Sequence, residues 1–122
     1  MEISNSKFIG LVERVTVVGK TKSKTVLARI DTGAVISSID IKLAAELGLG
    51  PVLRTKKVKN ANGIVERPLV KCKFKLKNEN YNSEVTLADR KILKYSVLIG
   101  QNILKKTKLY INPRKKTPLS IK

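Results

Sequence analysis

The sequence predicts an all-β domain, and three observations carry that expectation. Val, Ile and Leu gather in short runs, as in Val26-Leu27-Ala28 and Val97-Leu98-Ile99, which suits strands better than a helical bundle. Val70, Cys72, Phe74 and Leu76 alternate with Lys71, Lys73, Lys75 and Lys77, a period of two that gives a strand one apolar and one lysine face. Asn60-Ala61-Asn62-Gly63 separates two further β-like runs, and Asn-Gly is a strong hairpin signal. The chain has 122 residues, enough for one core. At 42% hydrophobic but only 4% aromatic, that core must be built from aliphatic side chains.

Taken in order, residues 8–18 are apolar and β-branched, broken by Glu13-Arg14, and read as one strand or a bent pair. Residues 19–24 form a polar turn. Residues 25–30 form a strand that delivers Asp31 at its end. Residues 35–39 lead to Asp40, a suitable N-cap for a short helix over 41–47. In that helix Ile41, Ala44 and Ala45 share a side. Gly48 stands where a left-handed residue is wanted, and Pro51 prevents the helix from resuming.

Residues 52–59 and 64–69 read as the arms of the hairpin, with polar, basic flanks that project from the body. The alternating strand 70–76 follows, then a turn at Asn78-Glu79-Asn80. Strands are expected over 81–87 and 95–99, a short helix over 101–106, and a last strand over 109–111 before Asn112-Pro113. The domain is placed at residues 1–113. Residues 114–122 are a basic, loose tail in which Leu119 and Ile121 could pair in a dimer.

Charge and composition narrow the chemistry. With 26 Lys+Arg against 9 Asp+Glu the formal charge is +17. A lysine-rich solvated surface accounts for this, and so does a polyanionic partner, either nucleic acid or an acidic polypeptide. Aromatic residues are not interleaved with the basic ones, which disfavours stacking on single strands and makes nucleic acid the weaker expectation. One cysteine excludes an internal disulfide, and the lack of histidine excludes the usual zinc sites and any Ser-His-Asp or Cys-His machinery. Acid–base work falls to carboxylates, Lys or Tyr. There is no phosphate-cradling Gly-Lys loop, so neither ATP nor another cofactor is expected. No stretch reaches the length of a membrane span, and a cytoplasmic protein is expected.

Asp31-Thr32-Gly33-Ala34 carries the functional argument. A carboxylate at the end of a buried strand is costly unless it is used. One carboxylate alone is a poor catalyst of amide hydrolysis. Two that lie about 3 Å apart share one proton, so one can act as base on a water while the other polarises the scissile carbonyl. The motif occurs once, and Asp40 and Asp89 lack its context. A working pair therefore needs a second copy of the chain.

Residue type then assigns the neighbours. The Thr32 hydroxyl can bond across the twofold axis, and Gly33 lets backbone approach an extended peptide. The hairpin tip, Asn60, Ala61, Asn62 and Gly63, would close over the substrate. Arg29, two residues before Asp31 on a strand, should face the same way and favour acidic side chains. The alternative is that Arg29 turns to solvent or pairs with Glu13 or Glu66. Cys72 reads as a small buried hydrophobe. The lysine stripe 71–77 reads as a solvated sheet face, with nucleic acid as the alternative.

At these residues the chain resembles the retropepsin-like aspartic proteases, over roughly residues 11 to 113. Residues 28–39, ARIDTGAVISSI, look like the family's active-site loop, and residues 97–104, VLIGQNIL, like its second signature. A cellular, RimB-like subgroup often labelled "ATP-dependent zinc protease", found with RimK-type glutamate ligases, matches further. It shows a basic residue before IDTGA, an ERP after the hairpin (Glu66-Arg67-Pro68), and a stretch like VTLADRKILKYSVLIG over 85–100. The zinc label finds no ligands here.

The resemblance implies a closed retropepsin-like β-barrel with one or two short helices, working as a homodimer on peptide or protein substrates. It implies Asp31 as the catalytic carboxylate, Thr32 and Gly33 as its support, and the hairpin as flap. Leu98 would line the cleft, and Ala34 joins the substrate contacts. Some members are thought to trim glutamate tails, which a basic body and Arg29 would suit. Retroviral members usually carry Asp two residues after the motif glycine and Arg just after the second glycine. Val35 and Gln101 stand there, so no orphan charge is left and dimer bracing must come from elsewhere. A non-catalytic basic binding module on the same fold, recruiting RNA, the ribosome or an acidic protein, is the second reading.

Overall fold

The structure, a computed structural model, describes residues 4–90 and 94–118. After a 3-10 turn at Asn5–Lys7, the strands are β1 (Phe8–Ile9), β2 (Val12–Val18), β3 (Ser23–Ile30), β4 (Ser38–Asp40), β5 (Arg54–Asn60), β6 (Gly63–Leu76), β7 (Glu79–Ala88), β8 (Val97–Ile99) and β9 (Tyr110–Ile111). The helices are α1 (Ile41–Leu47) and α2 (Gln101–Leu104).

Hydrogen bonds run β2-β3-β8-β4-β7-β6, and β6 returns to β2, with Val17 opposite Phe74. Six strands thus close a barrel and leave no free edge among themselves. β5 adds to β6 outside that ring. Within the barrel two of the pairings are parallel, β3 with β8 and β4 with β7. They bring the ends of distant segments to the same place. The interior is largely aliphatic, as the composition requires: Val15, Val17, Ile39, Leu47, Val70, Leu76, Val85, Ile99 and Ile103 cluster with Phe74, and Tyr81 packs against them half-buried. Cys72 is buried among them, a small hydrophobe as expected. Among the described residues, no helix is long and apolar enough to cross a membrane.

α1 forms over the expected residues with the expected ends. The Asp40 carboxylate accepts from the Leu43 backbone N–H at 3.4 Å, and Gly48 is left-handed at φ 71°. Its core face differs from the expectation. Leu43, Ala44 and Leu47 are buried, whereas Ile41 and Ala45 are exposed. A two-turn helix is oriented by the strand it continues. Emerging from β4, it turns its two leucines inward.

β6 is one continuous strand of 14 residues rather than two. Its first half pairs with β5 as a projecting, exposed hairpin, and its second half is a barrel stave. The hairpin turn is Ala61-Asn62, because Asn60 pairs with Gly63. Gly63, at φ 121°, opens β6 instead of completing the turn. The β6–β7 turn is Lys77-Asn78, one residue earlier than expected. Both have positive φ, 51° and 68°, as a two-residue turn matching strand twist requires.

Three elements are shorter than expected: β8 begins at Val97, α2 ends at Leu104, and β9 begins at Tyr110. Glu13-Arg14 does not break a strand. Both lie inside β2, and the interruption falls at Gly10-Leu11. Glu13 is buried, accepting from the Gly10 N–H at 2.9 Å and from the Lys115 ammonium. The tail is therefore not loose at Lys115, which reaches back to β2. Leu119 and Ile121, expected to pair in a dimer, lie outside the described residues.

Candidate active site

β3 and β8 run parallel with Arg29 opposite Leu98 and Ile30 opposite Ile99. Asp31 and Gly100 therefore leave the barrel side by side, one residue beyond the two strands. The Asp31 N–H continues the ladder, donating to the Ile99 carbonyl at 2.9 Å. Beyond it the chain turns at once. The Gly33 N–H donates to Asp31 Oδ1 at 2.9 Å and the Ala34 N–H to the Asp31 carbonyl at 3.3 Å. The carboxylate is thus held by its own loop. A Cβ on Gly33 would lie 3.3 Å from Asp31 Oδ1. Glycine keeps that approach open.

The second signature braces the first. Gln101 Nε2 donates to the Thr32 carbonyl at 2.8 Å, and the backbone N–H groups of Gln101 and Asn102 donate to the carbonyls of Ala34 (2.7 Å) and Val35 (3.1 Å). Gly100 presses against this loop. A Cβ there would meet the Ala34 carbonyl oxygen at 2.7 Å. Beneath it Ser37, fully buried, accepts the Gly100 N–H on Oγ at 2.8 Å and donates its hydroxyl to Asn102 Oδ1 at 2.8 Å. Gln101 thus ties the Asp31 loop to α2.

A cavity of about 450 Å³ opens beside the loop. Gly33, Ala34 and Leu98 line it, as do Ser38 and Thr86 of the barrel. Lys56, Lys57 and Lys59 of β5, Arg67 of β6 and Arg90 add five cations to the wall, and among the described lining residues there is no carboxylate. Arg90 is positioned from three directions. Its backbone N–H donates to Asp40 Oδ1 (2.9 Å), Nε to the Tyr95 carbonyl (3.1 Å) and Nη1 to Ser38 Oγ (3.1 Å). Burial lowers the pKa of its guanidinium below that of an ordinary arginine, and Arg67 adds to the fall. Asp40 and Asp31 oppose it, and Arg29 deepens it slightly. Asp31, Arg29, Arg67 and Arg90 therefore share one electrostatic neighbourhood.

Of the expected site residues, Gly33, Ala34 and Leu98 line this cavity, whereas Asp31, whose carboxylate accepts from the Gly33 N–H, is not among the described lining residues. Arg29 and Thr32 are exposed and do not line it. The hairpin contributes its stem at 56–59, not its tip. Ala61, Asn62 and Gly63 are outside the lining. Sequence reasoning missed Lys56, Lys57, Lys59, Arg67 and Arg90 as wall residues, and Ser37 and Asn102 as the brace. The signal for Arg67 and Arg90 lay in the ERP and ADRK stretches, which carried no chemistry until the barrel brought them together.

Comparison with solved structures places this geometry. The chain superposes on a protein of unknown function (DUF785) from Legionella pneumophila with a TM-score of 0.66 at 20% identity, over 93% of this chain and 98% of that one. For the EIAV protease complexed with the inhibitor HBY-793 the TM-score is 0.67 at 17% identity, over 91% and 99%. For the simian foamy virus protease it is 0.57 at 16%, over 77% and 91%. These likenesses show a retropepsin-like fold. A comparison with curated proteins finds no match. A family model described as "Retropepsin-like aspartic endopeptidase RimB" matches residues 44–118, more than half of the chain, beginning after the Asp31 loop. The chain belongs to the RimB-like family of retropepsin-like aspartic endopeptidases.

Proposed function

We propose that the protein is a homodimeric aspartic endopeptidase that hydrolyses acidic peptides with a water held between two Asp31 carboxylates, one from each subunit. One observation carries this reading. Asp31 sits at the paired ends of two parallel strands, in a loop braced by Gln101 next to an open cavity in which the described charged lining residues are all cationic. Two carboxylates held about 3 Å apart share one proton. The ionised one takes a proton from the water, and the protonated one donates to the scissile carbonyl.

Gly33 and Ala34 present backbone to an extended substrate, and Leu98 packs against it. Arg67, Arg90 and the lysines of β5 attract carboxylate side chains next to the scissile bond. The hairpin tip, Asn60 to Gly63, closes over the peptide. Arg29 adds positive charge at longer range.

The test combines three measurements. Sedimentation should give twice the 13.5 kDa chain mass. Glutamate-rich peptides should be cut in preference to lysine-rich ones, and Asp31→Asn should abolish cleavage while leaving the melting temperature in place. Arg67→Gln should raise KM for acidic peptides with a smaller change in kcat. Monomers at working concentration, or equal cleavage by Asp31→Asn, would overturn the reading.

A further inference from the structure

We propose that the outer lysine face of β6 is a second docking site, a groove for an extended acidic segment of a protein partner, separate from the cavity beside Asp31. Four lysines, Lys20, Lys71, Lys73 and Lys106, line a cavity of about 730 Å³ there, above a partly apolar floor that includes Val18 and Leu49. One carboxylate, Glu84, faces them. It is already engaged by Arg54, at 2.7 and 3.2 Å. Lys106 is drawn over β7 by a hydrogen bond to the Asn82 carbonyl. No lining residue is common to this groove and the cavity beside Asp31. Arg67 of that cavity and Lys71 of the groove are four positions apart on β6, about 13 Å along the strand.

The pattern favours polypeptide over nucleic acid. Lys71 and Lys73 are exposed and flank the buried Cys72, so their charges stand ~6.7 Å apart along the strand, and the exposed Lys75 continues the row beyond the groove's lining. An extended peptide repeats its same-side side chains at that interval, so carboxylates at alternate positions meet the lysines one for one. No aromatic residue is in the lining, which leaves nucleobases nothing to stack on. The aliphatic floor suits the stems of glutamate side chains better than sugar and phosphate.

The inference does not rest on the peptidase reading, because binding is measured on Asp31→Asn protein without turnover. A fluorescein-labelled peptide alternating Glu and Val is titrated at low salt and followed by anisotropy. The same peptide, unlabelled, is titrated into ¹⁵N-labelled protein. Amide shifts are expected at 71–75, 82–84 and 106. Lys71→Gln/Lys73→Gln/Lys106→Gln should weaken binding about tenfold. The control Lys7→Gln/Lys42→Gln/Lys116→Gln removes the same charge elsewhere and should change binding about twofold or less. Shifts confined to 33–38, 56–59, 67 and 90, or equal losses in the two triple variants, would overturn the proposal. So would displacement of the peptide from the groove by an RNA oligomer of equal charge that binds more tightly. Any of these results leaves cleavage by the unmodified protein unaffected, so the two readings fail separately.

Discussion

The side-chain carbonyl of Asn102 accepts both the backbone N–H of Ser37, at 2.9 Å, and its hydroxyl, at 2.8 Å. The same amide donates to Ser83 Oγ and the Glu84 carbonyl, at 2.9 and 2.7 Å. One side chain therefore joins α2, the segment entering β4, and β7. Ser37 is fully buried, so removing its partner leaves donors that water cannot reach. Asn102→Ala should destabilise the fold by about 2–4 kcal/mol, read by urea unfolding. A loss under about 1 kcal/mol would mean the network relaxes onto other partners.

Gly100 offers a sharper steric test. An added Cβ would meet the Ala34 carbonyl oxygen at 2.7 Å and Ile36 backbone atoms at 3.1 Å. All three are backbone atoms of the segment 34–36, which cannot swing away as a flexible side chain would. Gly100→Ala should cost about 2–3 kcal/mol and spread the Asp31 and Gly100 loops. Gly33→Ala meets only Asp31 Oδ1, at 3.3 Å, and should cost about 1 kcal/mol or less. Thermal melts of the two variants side by side check the ordering.

Lys115 supplies the counter-charge for a buried carboxylate. Glu13 is almost wholly enclosed, whereas the Lys115 side chain is 31% exposed. Lys115→Ala would leave the buried Glu13 carboxylate with the Gly10 N–H still donating to it but without its counter-charge. The expected cost is about 2–3 kcal/mol, below that of a fully buried pair because of the exposure. Adding Glu13→Gln to Lys115→Ala should recover part of the loss, since the orphaned charge then disappears. A double-mutant cycle in denaturant reads the coupling.

Cys72 gives a pH signature. Burial pushes its thiol from 9.0 up to about 12. The unfolded chain therefore releases the proton near pH 9, while the folded chain holds it. Below pH 9 the thiol leaves stability independent of pH; from there to about 12 the stability it contributes is lost. At pH 10.5 the loss relative to pH 8 should be about 2 kcal/mol greater for the native chain than for Cys72→Ala. Unfolding curves at the two pH values measure it, and slow reaction of the folded thiol with alkylating reagents should accompany it.

Much of the local structure was legible. Alternation in 70–76 marked a barrel stave, Asp40 and Gly48 marked the ends of α1, and Asn60-Ala61-Asn62-Gly63 marked a hairpin. These signals act between near neighbours, so composition and spacing reveal them. The errors arose where distant segments decide. The turn at Ala61-Asn62 follows from which residues of β5 and β6 pair. The buried face of α1 follows from the direction in which β4 hands it over. Glu13 looked like a break in a strand because its partner lies 102 residues away.

The candidate site divides the same way. Asp31-Thr32-Gly33 and the apolar run ending at Gly100 could be found from the chain alone, since a carboxylate closing an aliphatic strand calls for a use. That Asp31 and Gly100 adjoin, that Gln101 braces Thr32, and that Arg67 and Arg90 line the same cavity was decided by closure of the barrel. Parallel pairing of β3 with β8 and β4 with β7 is non-local, and each three-residue pairing is too short to carry a periodic signal. Sequence determined which residues could do the chemistry; only the packed barrel determined which of them stand together.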